Sequence, residues 1–131
     1  MTITVLYASV LALWFFILSI RVIRHRGTQN IALGDGGNNS MLRRIRAHSN
    51  FAEYAPIILL LMGLLEFAGV GPVMLHVIGL LLLAGRFAHG WALSFTDGNV
   101  PGRVGGMILT FAALIIAAVR GLLLALGIPL F

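Results

Sequence analysis

Four long apolar segments, separated by three short polar ones, make up almost the whole chain. The first begins near Ile3, runs to Ile20 without a charged residue, and is followed directly by basic residues. A transmembrane helix needs about 20 mostly apolar residues, because each adds about 1.5 Å across a hydrocarbon core of about 30 Å. The pattern therefore predicts spanning helices over about residues 3–24, 40–68, 73–95 and 104–128, the last ending by Pro129.

The polar segments are rich in glycine and predict connections, at residues 27–40, 69–72 and 96–103. The second helix is longer than the membrane is thick, at roughly 29 residues and about 43 Å. Its first turns, which carry Arg43, Arg44 and Arg46, should therefore emerge from the bilayer.

Composition favours lipid as the main solvent of this chain. It is 60% hydrophobic and 10% charged, whereas a soluble domain has about 25% charged residues. Four spans fill 131 residues and leave no room for a second domain. The fold class predicted is a single all-α domain over residues 1–131, an integral membrane four-helix bundle. Cysteine is absent, so any thiol chemistry needs a thiol supplied by a ligand.

The nine basic residues are all arginine, and six of them flank the first connection. Arg103 lies in the third connection, while the N-terminus and the second connection carry none. The positive-inside rule predicts connections one and three in the cytoplasm and both termini outside. Because the arginines are dispersed among apolar spans, no nucleic-acid partner is expected.

The second helix carries a polar stripe that is unusual for a transmembrane segment. Arg46, Asn50, Glu53 and Tyr54 are spaced i, i+4, i+7 and i+8, which places them on one helix face. Counted back from Ala68, Glu53 lies about 22 Å into the helix, within the hydrocarbon zone. A carboxylate at that depth should face the bundle interior.

On the third helix, Arg86 interrupts an apolar run and should also face inward, with His89 one turn later. Two interpretations of the polar residues remain open. They either satisfy one another to fix helix packing, or they form a ligand site. No metal is expected, because metal-ligand spacing is absent from the helices.

Near the outer ends, Arg120 is interpreted as a side chain that extends to the membrane surface. Glu66 and His76 flank the second connection and are interpreted as solvated or interfacial.

Several segments together resemble one protein family. Residues 46–54 (RAHSNFAEY) are similar to the second-helix signature of the MAPEG family, the membrane-associated proteins of eicosanoid and glutathione metabolism. Residues 34–37 and 42–48 are similar to its bacterial branch, and residues 83–89 (LAGRFAH), with Gly79, to the third-helix signature. The resemblance covers nearly the whole chain. It implies a homotrimer in the bacterial inner membrane.

The resemblance also implies a ligand, glutathione, held between neighbouring subunits. Matching the family motifs residue by residue implies these contacts: Arg24, Arg46, His48, Asn50, Glu53, Tyr54, Arg86 and His89. Arg21 and Arg26 are alternatives to Arg24 as the helix-one arginine. Arg103 matches the arginine that activates the glutathione thiol. At the position where relatives carry a second tyrosine this chain has Leu93.

The function expected from the resemblance is a glutathione transferase or peroxidase. It would act on a hydrophobic small molecule or lipid, such as an apolar electrophile or lipid hydroperoxide reached from the membrane. The alternative is a non-catalytic membrane protein that binds lipid or glutathione. A small four-helix transporter is disfavoured, because such proteins typically carry a glutamate in the first span and residues 3–20 have none.

Overall fold

The computed structural model describes residues 1–128 and forms four helices. They are α1 (Thr2–Gln29), α2 (Asn39–Phe67), α3 (Pro72–Ser94) and α4 (Val100–Ala125). Each is long and apolar enough to cross a membrane. The predicted all-α membrane bundle is therefore confirmed. Pro129, where the fourth span was expected to end, lies outside the described residues.

Asparagine side chains start two of the helices. Asn38 Oδ1 accepts a hydrogen bond from the Met41 amide at 3.0 Å at the start of α2. Asn99 Oδ1 accepts one from the Gly102 amide at 2.9 Å at the start of α4. Because an asparagine cap and a proline in the first turn favour helix initiation, α4 begins at Val100. Arg103, expected in the connection, therefore lies in the first turn of α4.

The helices are arranged with α2 and α3 in the middle. α1 and α4 each pack against both of them. Within residues 1–128, α1 and α4 do not contact each other. The two helices therefore form opposite flanks of the bundle.

The bundle has two chemically different ends. We call the end with the α1–α2 and α3–α4 connections, residues 30–38 and 95–99, the basic end. Arg43 on α2 forms an ion pair there with Asp97, with Nη2 and Oδ1 3.3 Å apart. We call the end with residues 68–71 and the N-terminus the turn end. Which end faces the cytoplasm stays a prediction.

At the turn end, Glu66 does not project into solvent as expected. Its carboxylate accepts hydrogen bonds from the amides of Ile3 at 3.0 Å and Thr4 at 2.8 Å. It also lies 3.7 Å from the Met1 ammonium. His76 is likewise engaged, since its Nδ1 lies 3.0 Å from Tyr7 Oη. The free amides of the first turn of α1 explain the difference, because a carboxylate satisfies them and complements the helix dipole.

The closest helix approach joins α3 to α4 through Gly85 and Gly106. A Cβ atom at Gly106 would lie 2.6 Å from the His89 nitrogen and 2.7 Å from the Gly85 carbonyl oxygen. Only residues without a side chain allow backbones so close. This contact brings α3 residues 86–89 directly against α4.

Apolar side chains cover the outer face of α4. Five that recur every three to seven residues are exposed on the isolated chain: Val104, Ile108, Ile115, Val119 and Leu122. Such a stripe suits contact with lipid or with another transmembrane subunit.

Candidate functional site

Arg86 is the centre of a hydrogen-bond network that joins three helices. Arg86 is buried, with 1% of its surface exposed. Nη1 donates to Asn50 Oδ1 on α2 at 2.7 Å, and Nε and Nη2 donate to Thr110 Oγ1 on α4 at 2.9 and 2.7 Å. A buried guanidinium is tolerated only when its donors are paired. Both neighbours are neutral, so the network keeps its positive charge.

Thr110 is a site residue that the sequence patterns missed. Its hydroxyl donates to the Gly106 carbonyl at 2.8 Å, so its lone pairs are left to accept from Arg86. A hydroxyl in an otherwise apolar part of α4, seven residues beyond Arg103, was the available signal. The role of this hydroxyl depends on the α3–α4 contact, which brings Thr110 against Arg86.

A cavity of about 310 Å³ opens at the basic end beside this network. We call it the basic pocket. Its lining comes from α2, α3 and α4: Leu42, Arg43, Arg46, Asn50, His89, Leu93 and Arg103. Three arginines line it and no carboxylate does. It is therefore suited to an anionic ligand, and carboxylates match the planar guanidinium best.

Glu53 and Tyr54 lie beside the basic pocket on the same face of α2. Glu53 Oε1 is 3.9 Å from Arg46 Nη1, and both side chains are about half exposed, at 49% and 54%. The Arg86 guanidinium lies over the Tyr54 ring, with Cζ 5.9 Å from the ring centroid. Tyr54 also packs edge-on against Phe111. The structure thus brings Arg46, Asn50, Glu53 and Tyr54 of α2 close to Arg86, His89 and Arg103.

Two of the predicted glutathione contacts, Arg24 on α1 and His48 on α2, lie on the side of the bundle where α1 packs against α2. His48 stacks on Phe15 of α1, with ring centroids 4.6 Å apart. Arg24 lines a separate cavity of about 470 Å³, which it shares with Arg21 and Arg44 among others. We call this cavity the α1 groove. Within one chain, neither Arg24 nor His48 lines the basic pocket.

The alternatives to Arg24 are already engaged. The Arg21 guanidinium bonds to Ser94, with Nε 2.8 Å from Oγ, and lies over the Phe95 ring at 3.7 Å. Arg26 donates to the Gly34 carbonyl at 2.8 Å. Arg24 lines the α1 groove, and its contact with glutathione stays a prediction.

Four apolar helices around a buried, hydrogen-bonded arginine define a multi-pass integral membrane protein with a polar site near one end. A family model described as the MAPEG family matches residues 4–123. The chain therefore belongs to the MAPEG family.

The relatives in bacteria support the same assignment. The chain is 36% identical over 120 residues to the inner membrane protein YecN of Escherichia coli strain K12, covering 92% of this chain and 90% of the relative. The same values hold for YecN of Escherichia coli O6:H1 strain CFT073. These matches confirm the predicted localisation in the inner membrane. No solved structure matches the chain.

Proposed function

We propose that the protein is a glutathione-dependent transferase or peroxidase that acts on apolar substrates from the membrane. The basic pocket carries this proposal. Glutathione bears two carboxylates and one ammonium group. Arg43 and Arg46 line the pocket and match the carboxylates, while Glu53 at its edge matches the ammonium.

The reactive group would be the glutathione thiol, since the chain has no cysteine. A free thiol has a pKa near 8.5, and a neighbouring guanidinium lowers the pKa because it stabilises the thiolate. Each unit of depression makes the thiolate about tenfold more abundant relative to the thiol. Arg103 is exposed at the mouth of the pocket, and we assign it this role.

The proposed reactions balance without a protein cofactor. In transfer, the thiolate sulfur forms a bond to an electrophilic carbon, the leaving group departs with its electron pair, and the thiol proton passes to water. In peroxide reduction, two glutathione molecules are oxidised to the disulfide, while the hydroperoxide is reduced to an alcohol and water.

A homotrimer is part of the proposal. Arg24 and His48 lie at the α1 side of α2, while the basic pocket lies between α2, α3 and α4. In a closed ring, one face of each subunit meets a different face of the next, and we assign these two faces to the α1 side and the α4 side. The two groups of residues would then share one site at each interface.

The alternative, a non-catalytic lipid- or glutathione-binding protein, also has an observation in its favour. Asn50 Oδ1 and Thr110 Oγ1 already accept from Arg86. These residues would be required for packing even if no reaction took place.

Two measurements on purified protein distinguish the proposals: glutathione binding by calorimetry, and conjugation to a chlorodinitrobenzene-type electrophile. We expect Glu53→Ala to lose binding. Arg103→Ala should bind glutathione but conjugate it at least tenfold more slowly, because the thiolate loses its partner. Arg26→Ala removes an arginine at the same end that lies outside the pocket, and it should behave as wild type. If wild type binds glutathione without conjugation, transfer is excluded, and peroxide reduction or the non-catalytic alternative remains. Absence of glutathione binding excludes the enzyme and leaves, of the alternative, only a lipid-binding protein.

A further inference from the structure

A second cavity lies at the turn end, far from the basic pocket. Its volume is about 710 Å³. The α2–α3 turn, the first turns of α3 and the last third of α4 form its walls, including Gly71, Val73, Val77, Ile116 and Arg120. We call it the turn-end cavity. The proposed glutathione reaction uses none of these residues.

Arg120 gives this cavity its chemistry. Its Nη1 atom is buried and forms no hydrogen bond with residues 1–128. An arginine that extends to the membrane surface would place its head in water, so the buried Nη1 does not fit that interpretation. A buried donor without an acceptor is costly. The Arg120 side chain lines the cavity, so a small rotation of the guanidinium would bring Nη1 to an acceptor bound there.

Glu66 and His76, the titratable side chains nearest this end, are already paired within the protein. Glu66 accepts from the amides of Ile3 and Thr4, and His76 pairs with Tyr7. Arg120 is therefore not neutralised by the carboxylate at its own end of the bundle.

The backbone on the opposite wall also favours a negative charge. Helix α3 begins at Pro72, with Gly71 as its N-cap and no side chain that caps its free amides. The first turn of a helix carries a partial positive charge. A guanidinium and a helix start on facing walls together favour an anion more than either does alone.

The deeper walls are apolar and open towards the membrane. Val77 lies five residues into α3, about 7.5 Å below its start, and Val73 and Val77 are 77% and 42% exposed. Ile116 lies one turn below Arg120 on α4. A free inorganic anion would gain nothing from these walls, whereas a lipid would place its glycerol and first methylenes there.

We propose that the turn-end cavity binds the phosphate headgroup of an anionic phospholipid. Arg120 pairs with the phosphate, and Val73, Val77 and Ile116 contact the upper acyl chains. The site is independent of the glutathione reaction and lies at the opposite end of the bundle.

The absence of cysteine allows a direct test. Phe67→Cys carries a fluorophore beside the cavity, because Phe67 lies two residues before Gly69, is 82% exposed and is not part of the cavity wall. A single cysteine at Val5 carries the same fluorophore on α1 at the same end, where the side chain is 60% exposed. The protein is reconstituted into vesicles in which either phosphatidylglycerol or phosphatidylcholine has brominated acyl chains, and the quenching by the two lipids is compared.

We expect brominated phosphatidylglycerol to be preferred about fivefold at position 67, with no preference at position 5. Arg120→Gln should abolish the preference, and Arg120→Lys should retain part of it. Equal quenching by both lipids at position 67, with Arg120 intact, would overturn the proposal, as would a preference that survives Arg120→Gln. Full displacement by millimolar inorganic phosphate would show a free anion instead of a lipid. Thermal unfolding of each variant confirms that it is folded.

Discussion

Thr110 contributes a single hydroxyl to an apolar helix, yet every part of that hydroxyl is used. The hydroxyl donates a hydrogen bond to the Gly106 carbonyl, and its oxygen accepts two hydrogen bonds from Arg86. Arg86 is thereby fixed in a position from which it cannot reach the basic pocket without losing bonds. Arg86 and Thr110 therefore hold the helices together and also help to form the site beside the basic pocket.

Thr110→Val keeps the shape of the side chain but removes both functions of the hydroxyl. We expect a loss of about 1–3 kcal/mol of stability, because the Arg86 donors are left buried without an acceptor. Thermal unfolding in detergent measures this loss. Thr110→Ser restores the hydroxyl and should recover most of the stability. Equal stability of the valine variant would mean that Arg86 finds another partner.

The sequence predicted part of this network. The spacing on α2, and the position of Arg86 within an apolar run, placed Asn50, Glu53 and Arg86 near one another. Arg43 as a wall of the basic pocket, and Thr110 as the acceptor for Arg86, were not predicted. Their roles depend on how closely α3 and α4 approach, which is a property of tertiary packing and leaves no periodic signal in either helix.

Helix α4 owes its position to one of two adjacent glycines. A Cβ atom at Gly106 would meet backbone atoms of α3 at 2.6 and 2.7 Å, whereas one at Gly105 would meet nothing within 4 Å. Backbone atoms cannot rotate away as a flexible side chain can. Gly105 therefore serves as a matched control for Gly106 within the same helix.

Gly106→Ala should destabilise the bundle by about 1–3 kcal/mol, because α3 and α4 must separate. Gly105→Ala should be neutral or stabilising by up to about 1 kcal/mol, since alanine is the better helix former. Thermal unfolding compares the two variants. We also expect Gly106→Ala to weaken glutathione binding, since it displaces His89. Similar melting of both variants would contradict the role assigned to the α3–α4 contact.

The first turn of α1 depends on a side chain from α2. Glu66→Ala removes the carboxylate that accepts from the Ile3 and Thr4 amides. The cost should be about 0.5–2 kcal/mol, as for other lost caps, and confined to the start of α1. Hydrogen exchange of residues 2–8 should become faster while α3 remains unchanged. Uniform protection across α1 in the variant would show that the cap is dispensable.

The helices themselves were predictable, but their contacts at the ends were not. Four apolar runs of sufficient length have few other outcomes in lipid. The capping of α1 by Glu66 joins residues more than 60 positions apart, which no local pattern contains. The start of α4 at Val100 was signalled locally by Asn99 and Pro101, and it was placed too late because the polar residues 96–103 suggested a longer connection.

At the scale of the whole molecule, the two flanks carry different parts of the proposed site. Arg24 lines the α1 groove and Arg103 lines the basic pocket. A single chain cannot bring them together, because α1 and α4 do not touch within residues 1–128. Catalysis would then require two subunits.

This requirement can be tested with mixed oligomers. We expect Arg24→Ala and Arg103→Ala each to lose most conjugation activity when assembled alone. Co-expressed in equal amounts and assembled at random, they should regain about a quarter of the wild-type activity, because a quarter of the interfaces in a ring pair an intact Arg24 with an intact Arg103. A mixture of Arg103→Ala with itself under a second tag gives the baseline. No recovery would place both residues in one subunit's site.

The hydrogen bonds of Arg86 also have a consequence for biogenesis. During synthesis Asn50 enters the membrane before Arg86, whereas Thr110 is added 24 residues after it. An arginine at the centre of an isolated helix opposes insertion by about 2.5–3.5 kcal/mol. If α3 entered the lipid before α4, the Arg86 guanidinium would have Asn50 as an acceptor but would lack Thr110. The short α3–α4 connection, residues 95–99, instead favours release of these two helices together as a hairpin, with the charge already enclosed.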